Sequence, residues 1–428
     1  MASHPHKIPD DIARSVVLAS GYKDENIYYP AFRWLRENEP LGVAEVEGYD
    51  PLWLVTKNAD IVAVEKDPGL FSSGDANPIL SDQAGDALLK SRNNGSIRVI
   101  AAPTFMDPPE HGQYRTIMAS WFAPGRVSKM AEQVREQAKR TVEQMMSYDG
   151  EVDFMHDIAH YYPLRVLMKQ MGIPDEDEAK MLKLTQEFFG GHDPEEQREE
   201  HKVSEAVAAE QWWTIINEIG QYFEEFRRAR RINPRDDFLS HVANARIDGE
   251  YLPDPESTGL YISIITAGHD TTSATASGGM LGMMRHPEQF AKVKANPALI
   301  PQLVEEAVRY TTVVKHFMRM ATRDTELRGR KIKAGDRLML CYPSGNRDEE
   351  VFFDPDRFEI ERRPNRHVGF GGGPHMCVGQ HLARLELKTL FEELLPRLES
   401  IELAGTPKFI ETNYVGGLKS LPMRFKKA

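Results

Sequence analysis

The run HVGFGGGPHMCVGQHLARLELKTLFEELLPRL, which ends near residue 398, constrains this chain more than any other. Four glycines (Gly369, Gly371, Gly372 and Gly373) precede Cys377. Beyond it, Leu382, Leu385, Phe391 and Leu395 mark one face of a helix that Pro396 ends. A cysteine placed where a glycine-rich loop enters a helix is suited to be a thiolate. The positive end of the helix favours the anion and lowers the thiol pKa. The glycines let backbone N–H groups approach the sulfur, which tunes a metal-bound thiolate. One cysteine cannot build a structural zinc site. Haem iron, which accepts a single protein thiolate, fits better, and thiolate ligation favours O–O cleavage. Local chemistry leaves two alternatives open. A phosphate cradle is one, although the Lys-Ser/Thr ending of a P-loop is missing. A cysteine nucleophile is the other.

The chain has only two cysteines, so no disulfide framework is implied. Cys341 lies in the apolar run LMLCY and reads as a buried core thiol. A net charge of −12 speaks against nucleic acid or an anionic membrane as the main partner. The start, MASHPHKIPDDIARSVVLAS, is broken by prolines, and no stretch approaches the about 18 apolar residues of a membrane span. A cytoplasmic protein without a membrane partner is the expectation. Neither a repeat nor a linker divides the sequence, so residues 1–428 are expected to form one domain.

Apolar spacing predicts helices over 127–148 and roughly 176–190, 205–231, 255–285 and 299–311. Residues 326–342 read as a hairpin with an adjoining strand, and LKSLPMRF closes the chain as a further β stretch. The fold class is mostly α with a small β region. Segments 73–104 and 192–215 show no period, and HDPEEQREEHK reads as a solvated charge run.

Three further constellations carry chemistry. Glu306 and Arg309 are three apart and share a helical face, ahead of FDPDRF at 353–358. AGHDTT at 267–272 sets Asp270 and Thr271 inside an apolar helical run. An acid and an alcohol there can hold and refill the protons that O₂ reduction in a dry pocket consumes. His111 and Arg115 lie four apart in DPPEHGQYR.

FGGGPHMCVGQ resembles the haem-binding signature of the cytochrome P450 family, F-G-x-G-x-H-x-C-x-G, at Phe370, Gly371, Gly373, His375, Cys377 and Gly379. The likeness runs nearly end to end and is greatest with bacterial members that hydroxylate α-terpineol. It implies the single-domain, triangular-prism fold of the family and haem b (iron protoporphyrin IX) as cofactor. By that resemblance Cys377 is the iron ligand, Phe370 and Gly371 border the cofactor, and His111, Arg115, Arg319 and His375 hold its propionates. Asp270 and Thr271 correspond to the family's acid–alcohol pair. Glu306, Arg309 and Arg357 correspond to its structural Glu-Arg-Arg cluster. The substrate pocket falls on Thr266, Ala267, Val314, Phe317, Tyr414 and Val415.

The implied activity is monooxygenation of a small apolar substrate, either a monoterpenoid such as α-terpineol or a small alkyl-arene. Electrons would come from a small acidic ferredoxin and its reductase, docking on a monomer near Arg115, Arg126, Lys129 and Arg363. A haem-thiolate peroxygenase or isomerase, and a non-catalytic haem-binding sensor, are the competing classes. Members of the former usually lose the acid–alcohol pair, which this sequence keeps.

Overall fold

A computed structural model describes residues 4–202, 204 and 206–428. Its axis is the helix Asp254–Arg285, 32 residues long and buried over most of its length. The sequence explains that burial: the run from Leu260 to Ile265 and the small residues from Ala274 to Gly282 leave it no continuous polar face. Gly278 and Gly282 permit close contacts. A Cβ on Gly278 would stand 2.0 Å from the Thr311 hydroxyl, and one on Gly282 would stand 2.6 Å from the Phe358 ring. Around this axis pack the helices Tyr161–Met171, Ile300–Thr311 and Gln380–Leu394.

The β region lies to one side. Strands Leu41–Ala44, Leu52–Val55, Arg337–Cys341, His316–Ala321 and Phe71–Ser72 form one sheet in that order. The pair Leu52–Val55 with Arg337–Cys341 is parallel and the rest are antiparallel. The expected hairpin is real, formed by Thr325–Leu327 and Arg330–Ile332. The adjoining strand leaves it to join the larger sheet, where Cys341 is fully buried and burial pushes its thiol pKa up. LKSLPMRF forms two strands, Leu418–Ser420 and Pro422–Lys427, in two different sheets.

Four expected helices appear as Glu178–Phe189, Val207–Ile232, Asp254–Arg285 and Ile300–Thr311. The fifth starts later, at Ala131, because Pro124–Val127 and Ser128–Met130 make separate turns first. Two segments without a period are ordered by polar contacts. Asp82 caps the helix Gln83–Arg92 by accepting from the Gly85 N–H at 2.6 Å. The charge run is not simply solvated. Asp193 is buried, accepting from Lys419 and from the Glu411 N–H at 2.9 Å each, while Arg198 joins Glu187 to Glu218. Among the described residues no helix is long and apolar enough to cross a membrane.

Glu306 and Arg309 form a fully buried bidentate pair, with N···O distances of 2.7 and 2.8 Å. Arg309 also donates to the carbonyls of Asn346, Pro355 and Arg357. The expected third member, Arg357, contributes only its backbone. Its side chain is 45% exposed and pairs with Glu288. Arg362 occupies the third place, with its side chain 8% exposed and Nε 3.4 Å from Glu306. Asn365 and the Glu359 N–H complete the shell around Glu306.

Removing one partner of a buried ion pair strands the other, at a cost of about 3–5 kcal/mol, whereas an exposed pair is worth at most about 1 kcal/mol. Arg309→Met should therefore lower stability by about 3–5 kcal/mol, and Arg357→Ala by less than about 1 kcal/mol. Urea denaturation of the two variants beside the parent checks the assignment.

Candidate functional site

Between the axial helix and the cysteine loop lies a deep, mostly apolar cavity. Each wall comes from a simple period. On the axial helix Ala267, Thr271 and Thr275 are four apart and face it together. On the strand His316–Ala321 it receives the alternate residues Phe317 and Arg319. His111, Arg115 and Met118 reach it from the helix Glu110–Trp121, and Val313 and Val314 from the segment after Thr312.

Cys377 forms the floor, three residues ahead of the helix Gln380–Leu394, with Phe370 and Gly371 beside it. Its N–H donates to the Phe370 carbonyl at 2.8 Å. Gly371 and Gly373 have φ of +65° and +57°, a left-handed backbone that favours glycine, so the loop turns tightly before the sulfur. The thiol pKa is raised, contrary to the expected lowering by the helix end. Burial dominates, opposed by the N–H groups of Gly379 and Gln380 and by Arg115 and Arg384. The sulfur faces the cavity, so the surface it exposes is cavity surface. A bound metal cation is what would hold this sulfur as a thiolate.

One rim of the cavity gathers positive charge. Arg319 is buried, donates to the Met318 carbonyl at 2.8 Å, and has no carboxylate ion pair among the described residues. His111 is buried with Nε2 unpartnered, and its ring centroid is 4.2 Å from that of His375. Arg115 donates to the Met376 carbonyl. His375 is pushed down to about 2 by burial, then by Arg319, His111 and Arg115, and its Nε2 lies 3.4 Å from the Ser73 hydroxyl. Buried cations without counter-ions are costly, so this rim suits carboxylates. A single thiol on the floor, nitrogen donors on one rim and apolar walls between them fit iron protoporphyrin IX.

Asp270 and Thr271 are neighbours on the axial helix that face different ways. The Thr271 hydroxyl borders the cavity and donates to the Ala267 carbonyl at 2.6 Å. Asp270 does not line the cavity. Its Oδ1 is 3.4 Å from His269 Nδ1, and its Oδ2 is buried without a partner. Burial raises its pKa to about 6, partly opposed by His160. His269 lies 2.7 Å from the His160 carbonyl through Nε2 and 2.8 Å from the Thr185 hydroxyl through Nδ1. Burial holds both imidazoles down at about 4, so they are neutral near pH 7.

Ala267, Val314 and Phe317 line the cavity as expected. Three others do not. Thr266 is turned into the core, with its hydroxyl donating to the Ile262 carbonyl at 2.7 Å. Val415 lies behind Val314, which it meets in an isolated β-bridge. Tyr414 lines a smaller neighbouring cavity with Phe189 and Trp212, its ring centroid 5.7 Å from that of Phe317. Sequence reasoning missed Thr104, Leu167, Ile264, Glu65 and Glu386, all of which border the main cavity. Glu65 had a signal, being a lone carboxylate in the apolar stretch IVAVEK. Lys129 and Arg363 are exposed, and Arg126 is paired with Asp236 at 2.6 Å.

The Cytochrome P450 family profile matches residues 93–426. Cytochrome P450-terp of a Pseudomonas species is 51% identical over 98% of this chain and 99% of its own length. Linalool 8-monooxygenase of Pseudomonas putida is 30% identical over 93% and 95%. Among solved structures, a cytochrome P450 of Novosphingobium aromaticivorans superimposes with a TM-score of 0.90 at 38% identity, covering 99% of this chain and all of the other. A Mycobacterium marinum cytochrome P450 in complex with pseudoionone gives 0.87 at 31% identity, with the same coverage.

The raised pKa of Asp270 links stability to pH. Between the ordinary value of 3.8 and about 6 the folded protein holds a proton that the unfolded chain has released, so stability falls as pH rises through this window. Asp270→Asn removes that penalty. Its stability relative to the parent should be greater at pH 8 than at pH 5 by about 1–2 kcal/mol, as urea denaturation at the two pH values would measure. An equal difference at both would mean that Asp270 titrates normally.

Proposed function

The chain belongs to the cytochrome P450 family, and we propose that its substrate is a small apolar terpenoid, a monoterpenoid such as α-terpineol. It is a haem b monooxygenase that uses O₂, a small substrate and electrons from a redox partner. One observation carries the substrate reading. The wall built by Ile264, Ala267, Val313, Val314 and Phe317 bears no charged side chain, and the two arginines that border the cavity, Arg115 and Arg319, lie on one rim. A fatty acid or an amino acid would find no counter-ion on that wall. The Thr104 hydroxyl borders the same space and can meet one polar handle. The likeness to cytochrome P450-terp, to a linalool monooxygenase and to a relative in complex with pseudoionone supports the same class.

When bound, haem b supplies O₂ binding and reductive O–O cleavage. Cys377 would hold its iron as a thiolate, and His111, Arg115, Arg319 and His375 would donate to its propionates. Phe370 and Gly371 border the cofactor, and Glu306, Arg309 and Arg362 hold the segment behind it. Thr271 presents a hydroxyl at the cavity and Asp270 stores a proton behind it. An acid with a pKa near 6 gives up and regains a proton readily at neutral pH. The electron donor is assigned as a small acidic ferredoxin with its reductase, meeting a monomer in the cytoplasm at the face around Lys129 and Arg363. Paired Arg126 makes that face less basic than four free cations would.

Three experiments test this reading. Cys377→Ser should abolish the long-wavelength absorbance band of the reduced, CO-bound haem, and Cys341→Ser should leave it unchanged. Thr271→Ala should keep consuming NADH and O₂ while product per NADH falls severalfold and peroxide appears. The substrate class is tested by optical spin-state titration with α-terpineol, linalool, p-cymene and a long-chain fatty acid. The terpenoids should shift the spectrum and the fatty acid should not. The reverse order would end the terpenoid reading, and product formed from peroxide alone at the full rate would favour a peroxygenase.

A further inference from the structure

Nothing described so far uses the buried carboxyl of Glu65. This residue lies on the helix Asn58–Lys66, is 3% exposed and borders the main cavity. Its Oε1 accepts from the Tyr342 hydroxyl at 2.7 Å, and its Oε2 is buried without a partner. Three glycines of the cysteine loop close over it. A Cβ on Gly372 would stand 2.8 Å from Oε2, one on Gly371 3.1 Å from Oε1, and one on Gly373 2.0 Å from the Glu65 carbonyl oxygen. Burial raises the pKa of this carboxyl, opposed by Tyr342, Arg319 and the Gly372 N–H, which all favour its anion. An apolar side chain would fill the same space without the cost of desolvating a carboxylate. The loop has given up side chains to fit this carboxyl.

We propose that Glu65 is a positioning residue whose carboxylate, held by Tyr342, fixes the Gly371–Gly373 turn and Arg319 and lowers the reduction potential of the haem. The proposal rests on haem ligation by Cys377. Reduction adds an electron to the cofactor, and a fixed anion in a weakly polar interior raises the energy of the more negative state. Tyr342 bears on the size of that effect, because its hydrogen bond spreads the charge of the carboxylate.

The midpoint potentials of two haem-loaded variants test this by spectroelectrochemical titration. Glu65→Gln keeps the size of the side chain and an acceptor for Tyr342 but removes the charge, so its potential should rise above the parent's. Tyr342→Phe removes the hydrogen bond that favours the anion, so it is compared with the parent at alkaline pH, where the carboxyl stays ionised; there its potential should fall. A purely structural role would loosen the same loop in both variants and move both potentials the same way. Shifts in opposite directions support the proposal, and an unchanged Glu65→Gln potential or two shifts of one sign overturn it. If Glu65→Gln does not fold with haem, Tyr342→Phe carries the test alone, where a fall supports the proposal and any other result overturns it. The CO-bound spectrum of each protein keeps the two readings apart: loss of the thiolate band in Cys377→Ser stands whatever the Glu65 potentials show.

Discussion

The buried pair of Glu306 and Arg309 is the contact on which the cysteine site depends. From Arg309 a line of hydrogen bonds runs to the backbone N–H of Cys377. Arg309 donates to the Asn346 carbonyl at 2.9 Å, and the Asn346 side chain accepts from the Val368 N–H at 2.7 Å. The Val368 carbonyl accepts from Gly371, and the Phe370 carbonyl accepts from Cys377. Each step is short and buried or half-buried, so an error at Arg309 is passed on to the loop. A hydrophobic substitute for the ion pair could match its stability. It could not supply the directed donors that hold three carbonyls of an irregular segment, which is the service Arg309 performs.

The same logic explains what was readable in the sequence and what was not. Long helices with a steady apolar period were placed to within a few residues, because burial of one stripe fixes them. The cysteine loop was legible because its glycines mark a strained backbone. Arg357 was misassigned because the motif contains two arginines within reach, Arg357 and Arg362, and only packing decides which turns inward. Thr266, Tyr414 and Val415 were misplaced for a related reason: membership of a pocket depends on a rotation about a helix axis or on the depth of a loop. The helix Gln83–Arg92 and the ion pairs of Asp193 and Arg198 rest on caps and distant partners, which leave no period behind.

Charge placement ties the cofactor to the fold. A chain with a net charge of −12 nevertheless concentrates Arg115, Arg319, His111 and His375 on one rim. Among the described residues only Glu65 faces these guanidiniums, through Arg319, and burial together with the cluster drives His375 down to about 2. On the proposed assignment, two haem carboxylates held there would turn the repulsion into attraction. Haem b held in this way would contribute stability through the rim as well as through the sulfur, since a group that binds only the native state stabilises it by mass action.

The opposite logic governs the far side of the axial helix. Gly268, Thr271 and Thr272 line the cavity, and Asp270, between them in sequence, is turned away from it. It is left among His160, His269 and Thr185. Had a guanidinium stood there, as Arg319 does on the rim, the carboxyl would be fixed as an anion and would be a poor proton store. Two imidazoles kept neutral by burial impose no such charge. Near pH 7 they leave the acid with a pKa of about 6, within reach of either state. The two sides of one helix thus hold opposite electrostatic environments, one built to bind fixed anions and one built to let an acid change its charge.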